Sequence, residues 1–199
     1  MRWCKPVVMF WVLLLWMGLS SSFGQDRTGL YLSVLNKEKV WSPQTRTNVN
    51  IADRNLPIVL VLLSPDCPMC ISYTQLLKRI RTKYDQEIEL IGIIPGRTYQ
   101  DSVVLKFVDK YELNFPVYVD KKLKVSKYLK AELTPECFLF DQKGMLVYSG
   151  AIDNWLTDLG KKRLQADQHY LLDALSQTHS GIPLLFSYVK PQGCLLNEY

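Results

Sequence analysis

The organised part of the chain opens with a continuous apolar run. Residues 57–64 read PIVLVLLS, and a short run that is aliphatic on both sides predicts a buried central strand of a parallel sheet. Over residues 67–84 the apolar side chains recur at helical spacing with Lys and Arg between them, and Pro68 suits the first turn of a helix. The pattern therefore predicts a strand, a turn and a helix in succession.

The same alternation continues toward the C-terminus. The pattern predicts strands over 88–94 and 116–119, helices over 101–111 and 123–129, and a hairpin of strands over 136–140 and 146–149. Strands that alternate with helices in this way favour βαβ units with right-handed crossovers.

Two flanking regions are predicted from weaker patterns. Residues 37–55 are polar and rich in turn formers, so an irregular segment is expected there. The charged cluster at 161–163 is interpreted as the solvated start of a last helix. The apolar stripe of this helix, which ends near Gly181 and can cover one face of the sheet, consists of Leu164, Leu171, Leu172, Ala174 and Leu175.

The N-terminus carries the pattern of a secretory signal peptide. Arg2 and Lys5 precede an apolar run over 6–19, and the small residues of 20–24 follow it. An uncleaved membrane anchor is the alternative, although the run is shorter than the ~20 apolar residues of a spanning helix. We therefore expect a signal peptide at 1–24, an irregular N-terminal segment at 25–55, and one domain with a C-terminal helix and tail at 56–199.

Export and charge limit the partners of the chain. Removing residues 1–24 takes away two basic residues and no acidic residue, so the formal net charge falls from +5 to +3. The basic residues are also scattered among acidic ones, so we expect no nucleic-acid partner. The expected location is periplasmic or extracellular, with membrane attachment only through the signal peptide if it stays uncleaved.

Four of the five cysteines remain after residue 24, and two of them are spaced as a reactive pair. Cys67 precedes the predicted helix, where the unpaired N–H groups of the first turn would stabilise its thiolate. Cys70 lies one helical turn later and could attack a mixed disulfide on Cys67, so Cys67 is the expected nucleophile and Cys70 the resolving thiol. A zinc site would need a second ligand pair, which neither His169 nor His179 supplies, so no metal is expected.

Two segments, SPDCPMC at 64–70 and LTPECFLFDQKGMLVYSGAIDNW at 133–155, together resemble the redoxin branch of the thioredoxin superfamily. This group includes alkyl hydroperoxide reductase and thiol-specific antioxidant proteins. The resemblance implies a three-layer, thioredoxin-like α/β fold with a central mixed β-sheet flanked by helices. It also implies a cis bond between Thr134 and Pro135 that faces the CxxC pair and leaves backbone groups free to bind a substrate strand, with Glu136 beside them.

The sequence departs from the family patterns near the cysteine pair. Asp66 stands where many thioredoxins have Trp, and Val61 stands where they have a buried acid that accepts a proton. If the reaction needs such an acceptor, Asp66 or Glu136 would have to replace it. Leu60 and Ser64 occupy the proline and threonine positions of the peroxide-reactive motif of peroxiredoxins. Dedicated peroxidase activity is therefore less expected than disulfide exchange.

The two remaining cysteines have less defined roles. Cys137 follows the expected cis-proline on a predicted buried strand and is interpreted as a small core residue. Cys194, in a Gly-Cys sequence similar to one in some relatives, is a third redox thiol, a partner for Cys137 or an idle surface thiol, and these alternatives stay open. We expect Cys194 to be dispensable for the basic exchange reaction. The segment 153–155 is expected to build the turn into the last helix.

These features give three hypotheses of different classes. The first is a disulfide reductase or isomerase that acts on exported proteins or a membrane electron donor. The second is a peroxide-scavenging redoxin in which Cys67 becomes a sulfenic acid that Cys70 resolves. The third is a binding module that holds peptides beside the cis-proline without redox activity. For the first, we expect no cofactor beyond a redox-active Cys67–Cys70 disulfide, and a protein disulfide substrate or redox donor protein as partner.

Overall fold

The computed structural model describes residues 27, 29–51, 56–158 and 160–196. The signal peptide expected at 1–24 and Cys4 lie outside the described residues. Within the described part of the chain, no helix is long and apolar enough to cross a membrane.

Short helices and strands alternate along the described chain. The helices are α1 (Leu32–Leu35), α2 (Pro68–Lys83), α3 (Asp101–Lys110), α4 (Lys124–Tyr128) and α5 (Tyr170–His179). The strands are β1 (Val40–Ser42), β2 (Thr47–Val49), β3 (Ile58–Leu62), β4 (Glu89–Pro95), β5 (Val117–Asp120), β6 (Leu133–Thr134), β7 (Glu136–Phe140), β8 (Leu146–Gly150), β9 (Leu156–Asp158), β10 (Lys161–Lys162), β11 (Tyr188–Val189) and β12 (Cys194–Leu195).

A mixed sheet forms the centre of the fold. Among the described residues it has eight strands in the order β11-β8-β7-β3-β4-β5-β1-β2. The central strand β3 runs parallel to β4 and antiparallel to β7, and β4 runs parallel to β5. Every residue of β3 is buried, as expected for the apolar run that predicts this strand.

Helices cover both faces of this sheet. On one face, α2, α3 and α5 contribute Leu77, Val104 and Leu171 to a buried apolar cluster. On the other face, α1 and α4 contribute Leu35 and Val125 to a second cluster. A strand that is apolar on both sides, such as β3, is stabilised only when both faces are covered in this way. The expected three-layer α/β fold is confirmed.

The segment expected to be irregular, 37–55, instead contains a hairpin. β1 and β2 pair antiparallel, and β1 extends the sheet by pairing with β5 through Trp41 and Val119. The Trp41 indole also donates hydrogen bonds of 3.0 Å to the Asp101 carboxylate at the start of α3. Three-residue strands carry little periodicity, so long-range contacts rather than local pattern define this hairpin.

The last helix begins later than its apolar stripe predicts. α5 starts at Tyr170, whereas Leu164 is fully exposed and lies before the helix. The side-chain oxygen of Asn154 accepts hydrogen bonds of 3.1 Å from the backbone N–H groups of Asp167 and Gln168. These bonds hold residues 167–168 outside the helix, so that α5 begins only at Tyr170.

The charged cluster at 161–163 is therefore not the start of a helix. Its first two residues form β10, which pairs antiparallel with β9. The side chains of β10 are exposed, as expected, but the segment is a strand and not the start of a helix. A two-residue strand offers too few positions for a pattern to distinguish it from a helical turn.

The tail after α5 returns along one edge of the sheet. β11 runs parallel to β8, with Tyr188 opposite Ser149 and Val189 opposite Gly150. The N–H of Ala151 donates a hydrogen bond of 2.9 Å to the carbonyl of Val189. This pairing fixes the tail to the sheet before the chain continues to its last described residues.

Replacing Gly150 with alanine is expected to separate β11 from β8. Gly150 has φ +118°, which L side chains rarely adopt, and a Cβ there would overlap the carbonyl oxygen of Val189. We expect the free energy of unfolding, measured by urea denaturation, to fall by about 1–3 kcal/mol. The matched control is Gly160→Ala at φ +74°, where no described atom lies within 4 Å of the Cβ position. Equal losses in the two variants would show that contact with β11 is not the cause.

Candidate active site

Cys67 lies at the junction between the central strand and the helix that follows it. β3 ends at Leu62, and Cys67 is the N-cap of α2, with Pro68 as the first helical residue. Proline leaves no N–H unpaired at this position, and the other N–H groups of the first turn lie at the Cys67 end of the helix. The positive end of the helix dipole therefore favours the thiolate form of Cys67.

Cys67 forms a disulfide with Cys194. Their Cα atoms are 6.3 Å apart across a sequence separation of 127, and this distance lies within the normal range for disulfides. Cys70 and Cys137 are the free cysteines among the described residues, and both are buried. The disulfide present is thus not the expected Cys67–Cys70 disulfide. Cys194, whose role the sequence leaves open, is neither idle nor paired with Cys137 but bound to the expected nucleophile.

Cys70 is a completely buried thiol one helical turn after Cys67. Its sulfur accepts a hydrogen bond of 3.3 Å from the backbone N–H of Ser64, and the Thr134 side chain also hydrogen-bonds to it. Burial raises the pKa of Cys70 to about 12, although these hydrogen bonds oppose the shift. Cys70 is therefore protonated at neutral pH and must lose its proton before it can attack a disulfide.

The Thr134–Pro135 peptide bond is cis, as predicted. The carbonyl oxygen of Thr134 lies 3.3 Å from the sulfur of Cys67. Thr134 also stands opposite Cys194 in the antiparallel pairing of β6 with β12. The structure thus brings Thr134, with Pro135 next to it, together with Cys67, Cys70 and Cys194.

Glu136 lies on the other face of the sheet from the cysteine pair. It stands opposite Leu62 in the β3–β7 pairing, and cross-strand partners share a face. Leu62 belongs to the second apolar cluster, whereas Cys67 and Cys70 belong to the first. The Glu136 carboxylate instead accepts a hydrogen bond of 2.5 Å from the Arg27 guanidinium. The expectation that Glu136 contacts substrate or accepts a proton beside the cysteines is therefore not supported.

Asp66 is exposed and lines a cavity of about 240 Å³ beside the disulfide. Ser64, Cys67 and Tyr99 line the same cavity, and the hydroxyls of Ser64 and Tyr99 are 2.8 Å apart. Burial raises the pKa of Tyr99, and the charge of Asp66 adds to the shift. Asp66, unlike Glu136, thus borders the same space as the Cys67 side chain.

Cys137 is a core residue, as the sequence suggests. It is completely buried on β7, and its thiol donates a hydrogen bond of 3.2 Å to the Gly150 carbonyl. Burial raises the pKa of Cys137 well above that of an ordinary thiol. Its cross-strand neighbour is Val61, the position at which many thioredoxins have a buried acid. At these two paired positions the core therefore has a thiol and an aliphatic side chain.

Tyr73 and Asp153 form a buried polar pair that the periodicity of the sequence does not indicate. The Tyr73 hydroxyl donates a hydrogen bond of 2.5 Å to the Asp153 carboxylate. The same carboxylate accepts a hydrogen bond of 2.9 Å from the backbone N–H of Trp155. Burial raises the pKa of Tyr73, and the hydrogen bond to Asp153 raises it further. These contacts tie α2, which carries Cys70, to the segment 153–155, which leads into β9 and not, as expected, directly into the last helix. The Asp-Asn-Trp sequence is the signal that could have located this pair.

The polar side chains give no cluster suited to a metal ion. Among the residues that the structure describes, no group of three or more His, Cys, Asp or Glu side chains is arranged to hold one. His169 is the N-cap of α5 and His179 is its last residue, and both side chains are exposed.

In the reduced protein, iodoacetamide is expected to modify Cys67 before Cys70. Alkylation requires a thiolate, and burial, which raises the pKa of Cys70 to about 12, keeps this thiol protonated at neutral pH. The Cys67 thiolate is favoured by the helix N-terminus. Peptide mass spectrometry after timed alkylation between about pH 6 and 9 measures both rates. Faster labelling of Cys70 at neutral pH would reverse the two assignments, and buried Cys137 serves as the slow internal control.

Solved structures with a similar fold come from several bacteria. A hypothetical protein from Sinorhizobium meliloti 1021 is 20% identical, with a TM-score of 0.72 over 81% of this chain and 91% of that chain. An uncharacterized conserved protein from Geobacillus kaustophilus is 17% identical, with a TM-score of 0.69 over 81% of this chain and 87% of that chain. A secreted Mycobacterium tuberculosis disulfide oxidoreductase, described as homologous to Escherichia coli DsbE, is 15% identical, with a TM-score of 0.53 over 75% of this chain and 98% of that chain. The fold is thus thioredoxin-like.

The family is identified by comparing the amino-acid sequence with family models. None of the curated proteins compared with the chain matches it. The Redoxin family model, in contrast, matches residues 40–159, which is more than half of the chain and includes the CxxC pair and the cis-proline. The chain belongs to the Redoxin family.

Proposed function

We propose that the protein is an exported thiol-disulfide oxidoreductase whose Cys67-Pro68-Met69-Cys70 motif exchanges disulfides with other proteins. One observation carries the proposal: Cys67 caps the N-terminus of α2 and lies 3.3 Å from the Thr134 carbonyl that precedes the cis-proline. At this position the helix favours a thiolate, and the backbone beside the cis-proline offers groups with which an extended substrate can pair.

The first step begins in the reduced protein. The Cys67 thiolate attacks one sulfur of a substrate disulfide, a bond forms between these two sulfurs, and the substrate disulfide breaks. The other substrate sulfur leaves as a thiolate and takes up a proton. The product is a mixed disulfide between Cys67 and the substrate.

Cys70 completes the exchange. It loses its proton and attacks the sulfur of Cys67, so that a Cys67–Cys70 disulfide forms and the second substrate sulfur leaves as a thiolate. The substrate gains two electrons and two protons, and the protein becomes oxidised. Asp66, which borders the cavity beside Cys67, is the candidate proton acceptor. Burial raises the pKa of Cys70 to about 12, so the resolving step requires this deprotonation.

The proposal also covers location and partners. The signal-peptide pattern at 1–24 supports export, and the M. tuberculosis structural neighbour is described as secreted. An oxidising compartment allows disulfides to persist in substrates. The partners are protein disulfide substrates or a redox donor protein. No cofactor is needed, since the cysteine sulfurs carry both electrons.

Insulin reduction, measured beside hydrogen peroxide consumption, tests the proposal. The protein, recycled by dithiothreitol, is expected to accelerate the appearance of turbidity from released insulin B chain and to consume peroxide slowly. Both effects should disappear in the Cys67→Ser, Cys70→Ser double variant. Peroxide consumption without insulin reduction would favour the peroxidase alternative. Peptide binding that survives in the double variant, with neither activity in the wild type, would favour the binding module.

A further inference from the structure

The C-terminal tail reaches the reactive cysteine along a defined path. After β11 attaches the tail to β8, β12 pairs antiparallel with β6 and places Cys194 opposite Thr134. The N–H of Leu196 then donates a hydrogen bond of 2.9 Å to the carbonyl of Glu132. The backbone next to the cis-proline is therefore already paired with the tail, and the disulfide joins the same tail to Cys67.

The residues around Cys194 show how the tail is held. Gly193 permits a close approach, since a Cβ there would lie 2.5 Å from the carbonyl oxygen of Thr134. Leu195, by contrast, is 72% exposed and contributes little hydrophobic stabilisation. At residues 193–195 the tail is thus held mainly by backbone pairing and by the disulfide, so that breaking the disulfide weakens the attachment.

We propose that the tail is an intramolecular substrate. In this proposal Cys194 is a third redox residue, and β12 occupies the place beside Thr134 where the strand of a protein substrate binds. The inference rests on the proposed function. A protein substrate needs both the sulfur of Cys67 and the free backbone of β6, and the tail takes both. The form with the Cys67–Cys194 disulfide is therefore closed to protein partners.

Cys70 opens the closed form without an external oxidant or reductant. Its thiol loses a proton, for which Asp66 is again the candidate acceptor, and the thiolate attacks the sulfur of Cys67. The Cys67–Cys70 bond forms as the Cys67–Cys194 bond breaks, and Cys194 leaves as a thiolate that takes up a proton. The number of disulfides and of electrons is unchanged. The freed tail no longer covers β6, and a protein dithiol can then reduce the protein.

Disulfide mapping of the full chain tests the chemistry of Cys194. The oxidised protein is blocked with N-ethylmaleimide in acid, digested without reductant and analysed by mass spectrometry. We expect peptides linked through Cys67–Cys194 and through Cys67–Cys70 in the wild type. In Cys70→Ser the Cys67–Cys194 peptide should accumulate, because the thiol that opens it is missing. Free Cys67 and Cys194 in oxidised Cys70→Ser protein would overturn the inference.

Reduction kinetics test whether the tail blocks the site. The oxidised protein is mixed with a protein dithiol, reduced unfolded ribonuclease, or with dithiothreitol. Cys194→Ser removes the linking sulfur, and Gly193→Val blocks docking of the tail without changing a sulfur. Both variants are expected to react with ribonuclease roughly fivefold faster or more, because only the fraction of molecules with the tail undocked can bind this substrate. Their reaction rates with dithiothreitol are expected to change less. The matched control is Leu185→Ser, which changes a tail side chain that is 77% exposed.

The two proposals fail in different ways. Unchanged ribonuclease rates in Cys194→Ser and Gly193→Val, in a protein that reduces insulin, would overturn the inference alone. A wild type that exchanges disulfides with neither insulin nor ribonuclease would contradict the proposed function. Mapping of the Cys67–Cys194 peptide does not depend on turnover, so it reports on the tail in either case.

Discussion

Replacing Cys67 with serine is expected to lower the rate of insulin reduction by roughly 1,000-fold or more, because a hydroxyl is a far weaker nucleophile than a thiolate at neutral pH. Cys70 cannot take over, since it is completely buried and its pKa is raised to about 12. The initial rate of turbidity with dithiothreitol measures the effect. Circular dichroism confirms that the variant is folded.

The control for Cys67→Ser removes a thiol elsewhere. The control variant is Cys137→Ala. In the wild type Cys137 lies on β7, and its thiol donates a hydrogen bond to the carbonyl of Gly150 rather than to an active-site residue. We expect this variant to retain activity within about twofold of the wild type. If Cys67→Ser kept more than roughly a tenth of the wild-type rate, Cys67 would not be the nucleophile.

Replacing Arg27 with methionine is expected to lower the free energy of unfolding by about 3–5 kcal/mol, the usual cost of leaving one partner of a buried ion pair unpaired. The Arg27 guanidinium bonds to the Glu136 carboxylate at 2.5 Å and to the Lys130 carbonyl at 2.7 Å. The two charged side chains are 6% and 1% exposed. Methionine keeps much of the apolar volume but leaves the carboxylate without its cation. Urea denaturation followed by circular dichroism measures the change.

The decrease in the free energy of unfolding caused by Arg27→Met should depend on pH. Burial raises the pKa of Glu136, and the charge of Arg27 opposes this shift, so removing Arg27 raises the pKa further. The native variant then binds a proton more readily than its unfolded chain, and stability falls as pH rises through the range between the two pKa values. We therefore expect a smaller loss at about pH 4.5 than at about pH 8.

Two further variants isolate the buried pair. Arg27→Met combined with Glu136→Gln should recover part of the stability at pH 8 and remove the additional pH dependence. Arg81→Met is the matched control, because Arg81 pairs with Asp85, whose side chain is 59% exposed, and a change within about 0.5 kcal/mol is expected. Equal losses at both pH values would contradict a role for the charge of Glu136.

The parts of the fold that the sequence predicts well are those with strong local patterns. The apolar runs of β3 and β7 and the helix that starts at Pro68 are found close to their predicted limits. A buried strand and an amphipathic helix each carry their own periodicity, so no distant residue is needed to recognise them. The start of α5 shows the limit, because the bonds of Asn154 to Asp167 and Gln168 override an apolar stripe that begins earlier.

The site could be predicted only in part, because some of its contacts join residues that are distant in the sequence. The CxxC pair and the cis-proline are short motifs with a defined mechanism, and both lie where the motifs place them. The partner of Cys67 could not be deduced, since the pairing of four cysteines depends on how a tail 127 residues away returns to the site. The position of Glu136 on the opposite face follows from its register with Leu62, which a single sequence does not reveal.

The two outer strands of the central sheet bear on how copies of the protein behave at high concentration. An exposed sheet edge can template the addition of a strand from another chain, and the risk grows with the length and apolarity of the edge. Among the described residues, one edge is β2, three residues long with two polar and exposed side chains, and the other is β11, only two residues long. Neither offers a long apolar ladder for intermolecular pairing, so both ends of this sheet are poor seeds for β-aggregation.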